Sequence, residues 1–387
     1  MEQTKGKGQG VRRAVDTTRH HRENGWDYRG RAVYHFTFPV EGRFPLFGTL
    51  EGESAERAFI KLNPFGYRVY QILCGLPQFY AAKGFALKVL AQKVMPDHIH
   101  LVIQVLEPLP QSIGAVVRGF KSACTMVYKQ EFLSCGENAA EVHSIANRQG
   151  NAAALMHFAR IFANRNSIWQ QDAAYYHERI LHAPGQLNRM INYVKDNPRR
   201  LWLKKNNPDL FRLHRHTEMC GLSFTSLGNH FLLDWHDNQT VEMPRNATVE
   251  QVQKRLQLAM AAAQNGAVTY TAAISKGEQL IARTLRKQGY PLVVLLSDGF
   301  PKDGSPHERF YKPGGIYFEA CSKGQLLLLE PTEQTFLNAD IQSAVEETLR
   351  RKAAERHYSY EQIPIKSQRY RFVALNEIAK RLARIER

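Results

Sequence analysis

Met95-Pro96-Asp97-His98-Ile99-His100 concentrates chemistry in six residues. In a strand, side chains alternate, so His98 and His100 project to one face and Ile99 to the other. Two imidazoles about 6–7 Å apart at their base can converge on one metal ion. Asp97 could orient a ring nitrogen from behind. An H-x-H by itself is a weak signal and more often an ordinary pair of strand histidines.

A second pair lies further on. Over Gln186–Asp196, Leu187, Met190, Ile191 and Val194 recur at helical spacing, and Pro198 stands just past the expected end. Tyr193 and Asn197 are i and i+4 on this helix, beside the apolar stripe rather than in its centre. A phenol and an amide oxygen placed together suit a nucleophile and a metal ligand. Taken alone, they also read as an interface tyrosine and a helix-ending Asn-Pro. Tyr175 and Tyr176 are rival nucleophiles in an aromatic block, where base stacking or core packing is the expected use.

Elements must hold these groups. Val33–Phe38 alternates and is rich in β-formers, so it is a strand; Ala86–Val94 and His98–Leu106 read as two more. Gly66–Lys83, broken near Pro77, and Ser112–Phe132 have helical spacing, and a short strand is expected near Tyr176–Leu181. Residues 1–30 read as a flexible basic leader and 133–166 as an insertion. This order suits an antiparallel sheet flanked by helices, an α+β plan. The second half differs: a β-rich stretch at Leu222–Trp235, then strands at Ala267–Ala273, Leu292–Leu296 and Gln325–Leu329. These alternate with helices at Val249–Gln264 and Gly277–Gln288, and a helix at Val373–Arg387 closes the chain. All-apolar strands between helices predict a smaller, parallel, Rossmann-like α/β domain. The domains expected are 31–212 and 213–387.

The 387 residues suit more than one domain. With 52 Lys+Arg against 36 Asp+Glu the net charge is +16, which favours a polyanionic partner, nucleic acid or an anionic membrane surface. Residues 241–387 carry 22 Lys+Arg and 16 Asp+Glu, net +6, which leaves +10 for residues 1–240. No apolar run approaches the ~18 residues of a membrane span. The five cysteines form no C-x-x-C pair, so neither a disulfide framework nor a cysteine zinc site is indicated, and a cytoplasmic location is expected. A zinc hydrolase built on the H-x-H lacks an evident third His, Cys or Glu nearby.

Together, VYHFTFPVEGRFPLFG (33–48), VMPDHIHLVI (94–103), VRGFKSACTMVYK (117–129), IWQQDAAYYHERIL (168–181) and LNRMINYVKDNPRR (187–200) resemble the single-tyrosine HUH transposases, above all the REP-associated tyrosine transposases. The resemblance covers about 170 residues. It implies a ferredoxin-like antiparallel sheet, His98 and His100 as metal ligands, Tyr193 as nucleophile and Asn197 as third ligand, where many relatives have Gln. It further implies Mg²⁺ or Mn²⁺, single-stranded, hairpin-containing DNA as partner, and a 5′-phosphotyrosine intermediate, the protein acting as a monomer or homodimer in the nucleoid. Lys121, Trp169, Tyr176 and Arg199 are the candidate DNA contacts. The alternative is a domesticated single-strand-binding protein with little turnover.

VTYTAAISKGEQLIARTLRKQGYPLVVLLSDGF (268–300) resembles, more loosely, the Rossmann-like domain of the DNA-processing protein A (DprA/Smf) group, which implies nucleotide or single-stranded DNA binding. The Ile274–Glu278 junction could receive a phosphate at a helix N-terminus. Ser297–Phe300 and Lys312–Gly315 are loops at or beyond strand ends, where ordinary turn chemistry is the simpler reading.

Overall fold

The computed structural model describes residues 23, 25–133, 167–170, 177–297, 299–300, 316–355, 357, 359–360 and 362–384. The leader up to residue 22, the expected insertion from 134 to 166, Tyr175, Tyr176 and Lys312–Gly315 lie outside them. The chain forms two compact units, Met1–Trp202 and Leu203–Arg387.

In the first unit, β1 (Ala32–Pro39), β4 (Leu87–Val94), β5 (His98–Val105) and β6 (His177–Ile180) form one antiparallel sheet in the order β4-β5-β1-β6. A hairpin of β2 (Gly48–Glu51) and β3 (Phe59–Leu62) precedes α1 (Pro64–Ala81). The period of two divides the central strands. Tyr34, Phe36, Phe38, Ile99, Leu101, Ile103 and Val105 fill the main core. Helix α1, through Val69, Leu73, Leu76 and Tyr80, and α2 (Gly114–Val127), through Val116, Val117, Phe120 and Cys124, belong to that core. Asn63 caps α1 by accepting the Gly66 amide at 2.7 Å. Any Cβ on Gly66 would stand 2.0 Å from the Phe47 carbonyl, so that approach requires glycine. Pro77 lies inside α1 without ending it, because the buried stripe continues past it to Tyr80.

Among the described residues the other face of the sheet is covered by α3 (Gln186–Asn206), which packs Met190 and Val194 against Val102 and Leu181. Here the structure corrects the expected end at Asp196. The helix runs through Asn197 and Pro198, both buried, for two further turns. A proline inside a helix normally costs about 3 kcal/mol. Tertiary contacts support the extension: Arg200 is buried, and the Trp202 indole donates to the Gly52 carbonyl at 3.2 Å.

The second unit holds a six-stranded sheet, β7 (His214–Met219), β8 (Leu222–Gly228), β9 (Asn238–Thr240), β10 (Val268–Thr271), β11 (Leu292–Leu295) and β12 (Leu326–Pro331), in the order β7-β8-β12-β11-β10-β9. Strands β9 to β12 pair in parallel, while β8 joins β12, and β7 joins β8, antiparallel. The main helices are α4 (Val249–Gln264), α5 (Lys276–Lys287), α6 (Ala339–Glu355) and α7 (Gln368–Ala383). Helix α6 escaped the sequence reading because Thr348 and Ala353 share its thin buried stripe with Ile341, Val345 and Leu349. The polar, three-residue β9 owes its existence to pairing with β10. The units divide at 202/203, ahead of the expected 212/213. Leu203, Leu210, Phe211 and Leu213 pack with the core of the second unit, which draws that stretch into it. Both units mix helix and sheet, and antiparallel pairing occurs in each.

Candidate metal and nucleophile site

Residues 98, 100 and 102 of β5 face the α3 side. Antiparallel register places Thr37 of β1 opposite His100 and His35 opposite Val102. Four polar side chains thus share a strip of sheet that the sequence separates by more than sixty positions. The His98 and His100 Nε2 atoms approach to 3.1 Å. Behind them, His98 Nδ1 meets Asp97 Oδ1 at 2.6 Å. His100 Nδ1 lies 3.0 Å from His35 Nε2 and 3.1 Å from Thr37 Oγ1. Each imidazole is therefore held by its Nδ1 side and presents Nε2 to the same point.

Electrostatics agree with this division. Burial, and then the charges of His98, His35 and Arg43, hold His100 well below the usual histidine range, so its ring is neutral near pH 7. Burial pushes the Asp97 carboxyl up, but His98 and then Arg43 outweigh it and bring the group below the ordinary carboxylate value. The neutral ring of His100 has a lone pair available, and the Asp97 carboxylate holds His98 from behind.

From above, α3 delivers the second pair. The Tyr193 ring meets the His100 ring edge-on, 5.4 Å between centroids. Asn197 is buried near His100 and donates Nδ2 to the Tyr193 carbonyl at 2.9 Å. That last bond occupies the amide nitrogen with backbone and orients the carboxamide. The structure thus brings His98, His100, Tyr193 and Asn197 together.

Three neighbours escaped the sequence reading. His35 and Thr37 sit on β1 in an aromatic run that reads as core; only the cross-strand register reveals them. The Arg200 guanidinium lies over the Tyr193 ring at 5.2 Å, with Asp196 Oδ2 3.9 Å from Nη1. Counting i+7 from Tyr193 along an unbroken helix would have found it, had the helix not been ended at Pro198.

The candidate DNA contacts fare differently. Trp169 is 1% exposed and packs among Phe38, Phe47 and Phe120, donating its indole N–H to the Lys121 carbonyl at 2.9 Å. It is a core residue, and its rings cannot stack on a base. The Lys121 amine lies 6.0 Å from that indole, and burial lowers it to about 8. Arg199 is held by Asp196 through a 2.6 Å bond to Nε. Tyr176 lies outside the described residues. In the second unit, the phosphate expectation for Ile274–Glu278 is corrected. The Glu278 carboxylate itself accepts the amides of Met243, Ile274 and Ser275, at 2.9, 2.6 and 3.1 Å, and fills that position. Glu330 likewise takes the Phe300 amide at 2.9 Å.

A metal fits the first site by donor chemistry. Two nitrogens bound at right angles at about 2.1 Å stand about 3.0 Å apart, and at tetrahedral angles about 3.4 Å. The 3.1 Å separation falls between these. Both rings also have the hydrogen-bonded partners behind them that ligating histidines have. Among the described residues no cluster of three or more His, Cys, Asp or Glu could hold an ion. Asn197 is the amide at hand.

No protein-family model matches the chain, and no curated protein does. Among solved structures, a REP-associated tyrosine transposase bound to a REP hairpin is similar at 12% identity and a TM-score of 0.26, over 46% of this chain and 72% of that one. A candidate transposase from Deinococcus radiodurans R1 is similar at 14% identity and a TM-score of 0.22, over 45% and 95%. No helix among the described residues is long and apolar enough to cross a membrane.

Proposed function

We propose that this protein is a single-strand DNA transesterase of the single-tyrosine HUH transposase kind, with Tyr193 as nucleophile. The observation that carries the reading is the meeting of Tyr193 and Asn197, from α3, with the paired Nε2 atoms of His98 and His100. The strand order β4-β5-β1-β6, with α1 and α2 on one face, supports the ferredoxin-like plan of that family. His98, His100 and Asn197 would hold a divalent ion. When bound, such an ion supplies Lewis-acid stabilisation of the charge that develops on the phosphate. Two nitrogen ligands favour Mn²⁺ over Mg²⁺, whose preferred donors are all oxygen.

The chain's own residues do the remainder. Asp97, His35 and Thr37 fix the two rings. The edge contact with His100 and the Arg200 guanidinium fix the phenol. Tyr193 Oη attacks phosphorus, a Tyr–O–P bond forms, and the P–O3′ bond breaks. The phenolic proton is lost and the leaving 3′ oxygen gains one. The product is a 5′-phosphotyrosine beside a free 3′-OH. Bond energy is conserved, so another strand's 3′-OH can reverse the step without ATP. The +16 charge suits this substrate, and hairpin DNA is the substrate form proposed. For the second unit, the parallel strands β9–β12 support a Rossmann-like domain that binds DNA or nucleotide.

The test is incubation with single-stranded hairpin DNA from the gene's own flanks and Mn²⁺, scored for a covalent adduct on a denaturing gel. Wild-type protein forms the adduct, Tyr193→Phe does not, and double-stranded DNA of equal sequence does not react. An adduct that survives Tyr193→Phe sinks the assignment. DNA binding without any adduct favours a domesticated binding protein.

A further inference from the structure

The turn between β1 and β2 carries a cation that no step above uses. Residues Val40–Phe47 are pinned to the elements that hold the histidines. The Val40 amide donates to the Asp97 carbonyl at 2.9 Å, Phe47 to Pro96 at 3.0 Å and Glu41 to Ile168 at 3.1 Å. Val40, Phe44, Leu46 and Phe47 are buried in the core. On this anchored base Gly42 and Arg43 both adopt left-handed backbone, φ 60° and 54°. For glycine that costs little; for arginine it is strain, which persists only where the surroundings over-determine it and which gathers at functional sites.

The strained residue aims its side chain at the site. Arg43 Nη1 lies 3.6 Å from Asp97 Oδ2, while Asp97 Oδ1 is taken by His98. Yet the Arg43 side chain is 53% exposed. A guanidinium has five N–H donors in a planar fork, and one long contact to a carboxylate already engaged by histidine uses little of that capacity. A rigid base, a cation beside the carboxylate that holds His98 and donors open to solvent make a receptor for an oxyanion with two equivalent oxygens.

We propose that Arg43 is a catalytic residue that grips the scissile phosphodiester, its guanidinium donating to a non-bridging oxygen of the phosphate that Tyr193 attacks. This rests on the transesterase reading above. Arg43 thereby fixes the phosphorus in line with the phenol and neutralises charge as the Tyr–O–P bond forms.

Stereopure phosphorothioate substrates test it, with Rp or Sp sulfur at the scissile linkage. In wild-type protein the isomer that places sulfur against Arg43 reacts about ten- to hundredfold more slowly than the oxygen substrate, the loss expected for a hydrogen bond to a charged group. In Arg43→Ala the oxygen substrate is slowed by a similar factor and that isomer's extra penalty disappears. Arg43→Lys retains charge without the fork and restores only part of the rate. Asp97→Asn leaves the guanidinium in place and keeps the isomer's penalty, whereas a role exercised through Asp97 would abolish it there. A penalty on both isomers that is unchanged in Arg43→Ala and Arg43→Lys overturns the proposal while leaving Tyr193 untouched. A wild-type protein that forms no adduct instead overturns the transesterase reading on which it rests.

Discussion

His35 is the residue whose role depends most on its neighbours. Its Nε2 stands 3.0 Å from the buried nitrogen of His100, and the two rings stack with centroids 5.1 Å apart. Partners behind metal-ligating histidines typically contribute ten- to hundredfold in metal affinity, roughly, by fixing tautomer and orientation. His35→Ala is therefore expected to raise the Mn²⁺ concentration needed for half-maximal adduct formation by about that factor, with most of the rate recovered at saturating metal. A metal titration of the covalent-adduct yield measures it. An unchanged midpoint would return His35 to core packing. The legible part of the site was the part set by local periodicity: two histidines two apart on a strand, a tyrosine and an asparagine four apart on a helix. His35, Thr37 and Arg43 were not legible, because register between distant strands and the docking of a turn place them. Trp169 failed for the opposite reason. An aromatic block reads the same whether it faces solvent or fills a core, and only tertiary packing gives it 1% exposure.

At the scale of elements, α3 is the point of weakness. Two helices cover the Phe36 face of the first unit's sheet, whereas α3 alone brings Tyr193 and Asn197 to the other, through a small cluster of Val102, Leu181, Met190 and Val194. Met190 is 1% exposed. Met190→Ala removes most of its buried side chain and should cost about 2–5 kcal/mol. For a unit of this size, Tm falls by about 2–4 °C for each kcal/mol. Thermal unfolding followed by circular dichroism checks the loss. Adduct formation should drop as well, because the same helix carries Tyr193, the proposed nucleophile. A stable variant with normal activity would mean that Tyr193 is positioned from elsewhere. Strands β1, β4 and β5 and helices α1 and α2 were readable because their buried positions alternate or recur cleanly. The extension of α3 past Pro198 was not, since proline's missing N–H argues locally for a stop and contacts as far away as Gly52 accompany its continuation.

Across the second unit, a charge network joins the loop after β9 to α6 and α7. Glu242 meets Lys380 at 2.7 Å and Lys352 at 3.2 Å, and Lys380 also meets Glu377 at 2.9 Å. Burial pushes the Glu242 carboxyl up, but Lys380 and then Lys352 outweigh it and hold it below the usual glutamate value. A depressed carboxylate contributes stability that is complete above the unfolded-state value and is lost as pH falls through the lower, folded one. The urea midpoint of this unit should therefore decline from just below the ordinary glutamate range toward more acid pH. Glu242→Gln should lower the midpoint at neutral pH and flatten that decline. An unchanged acid limb would mean that the network contributes nothing measurable to stability.

Composition, net charge and the two periodic pairs were set by the sequence alone, since each needs only neighbours within a turn or two of chain. So was the alternation of apolar strands and amphipathic helices in both halves. Tertiary structure decided the rest. It chose which polar groups lie opposite one another across the sheet and joined helix to strand at Tyr193 and His100. It bent Arg43 toward Asp97. These pairings link residues far apart in the chain. Their energy comes from burial and cross-strand hydrogen bonding, which no local window of sequence contains.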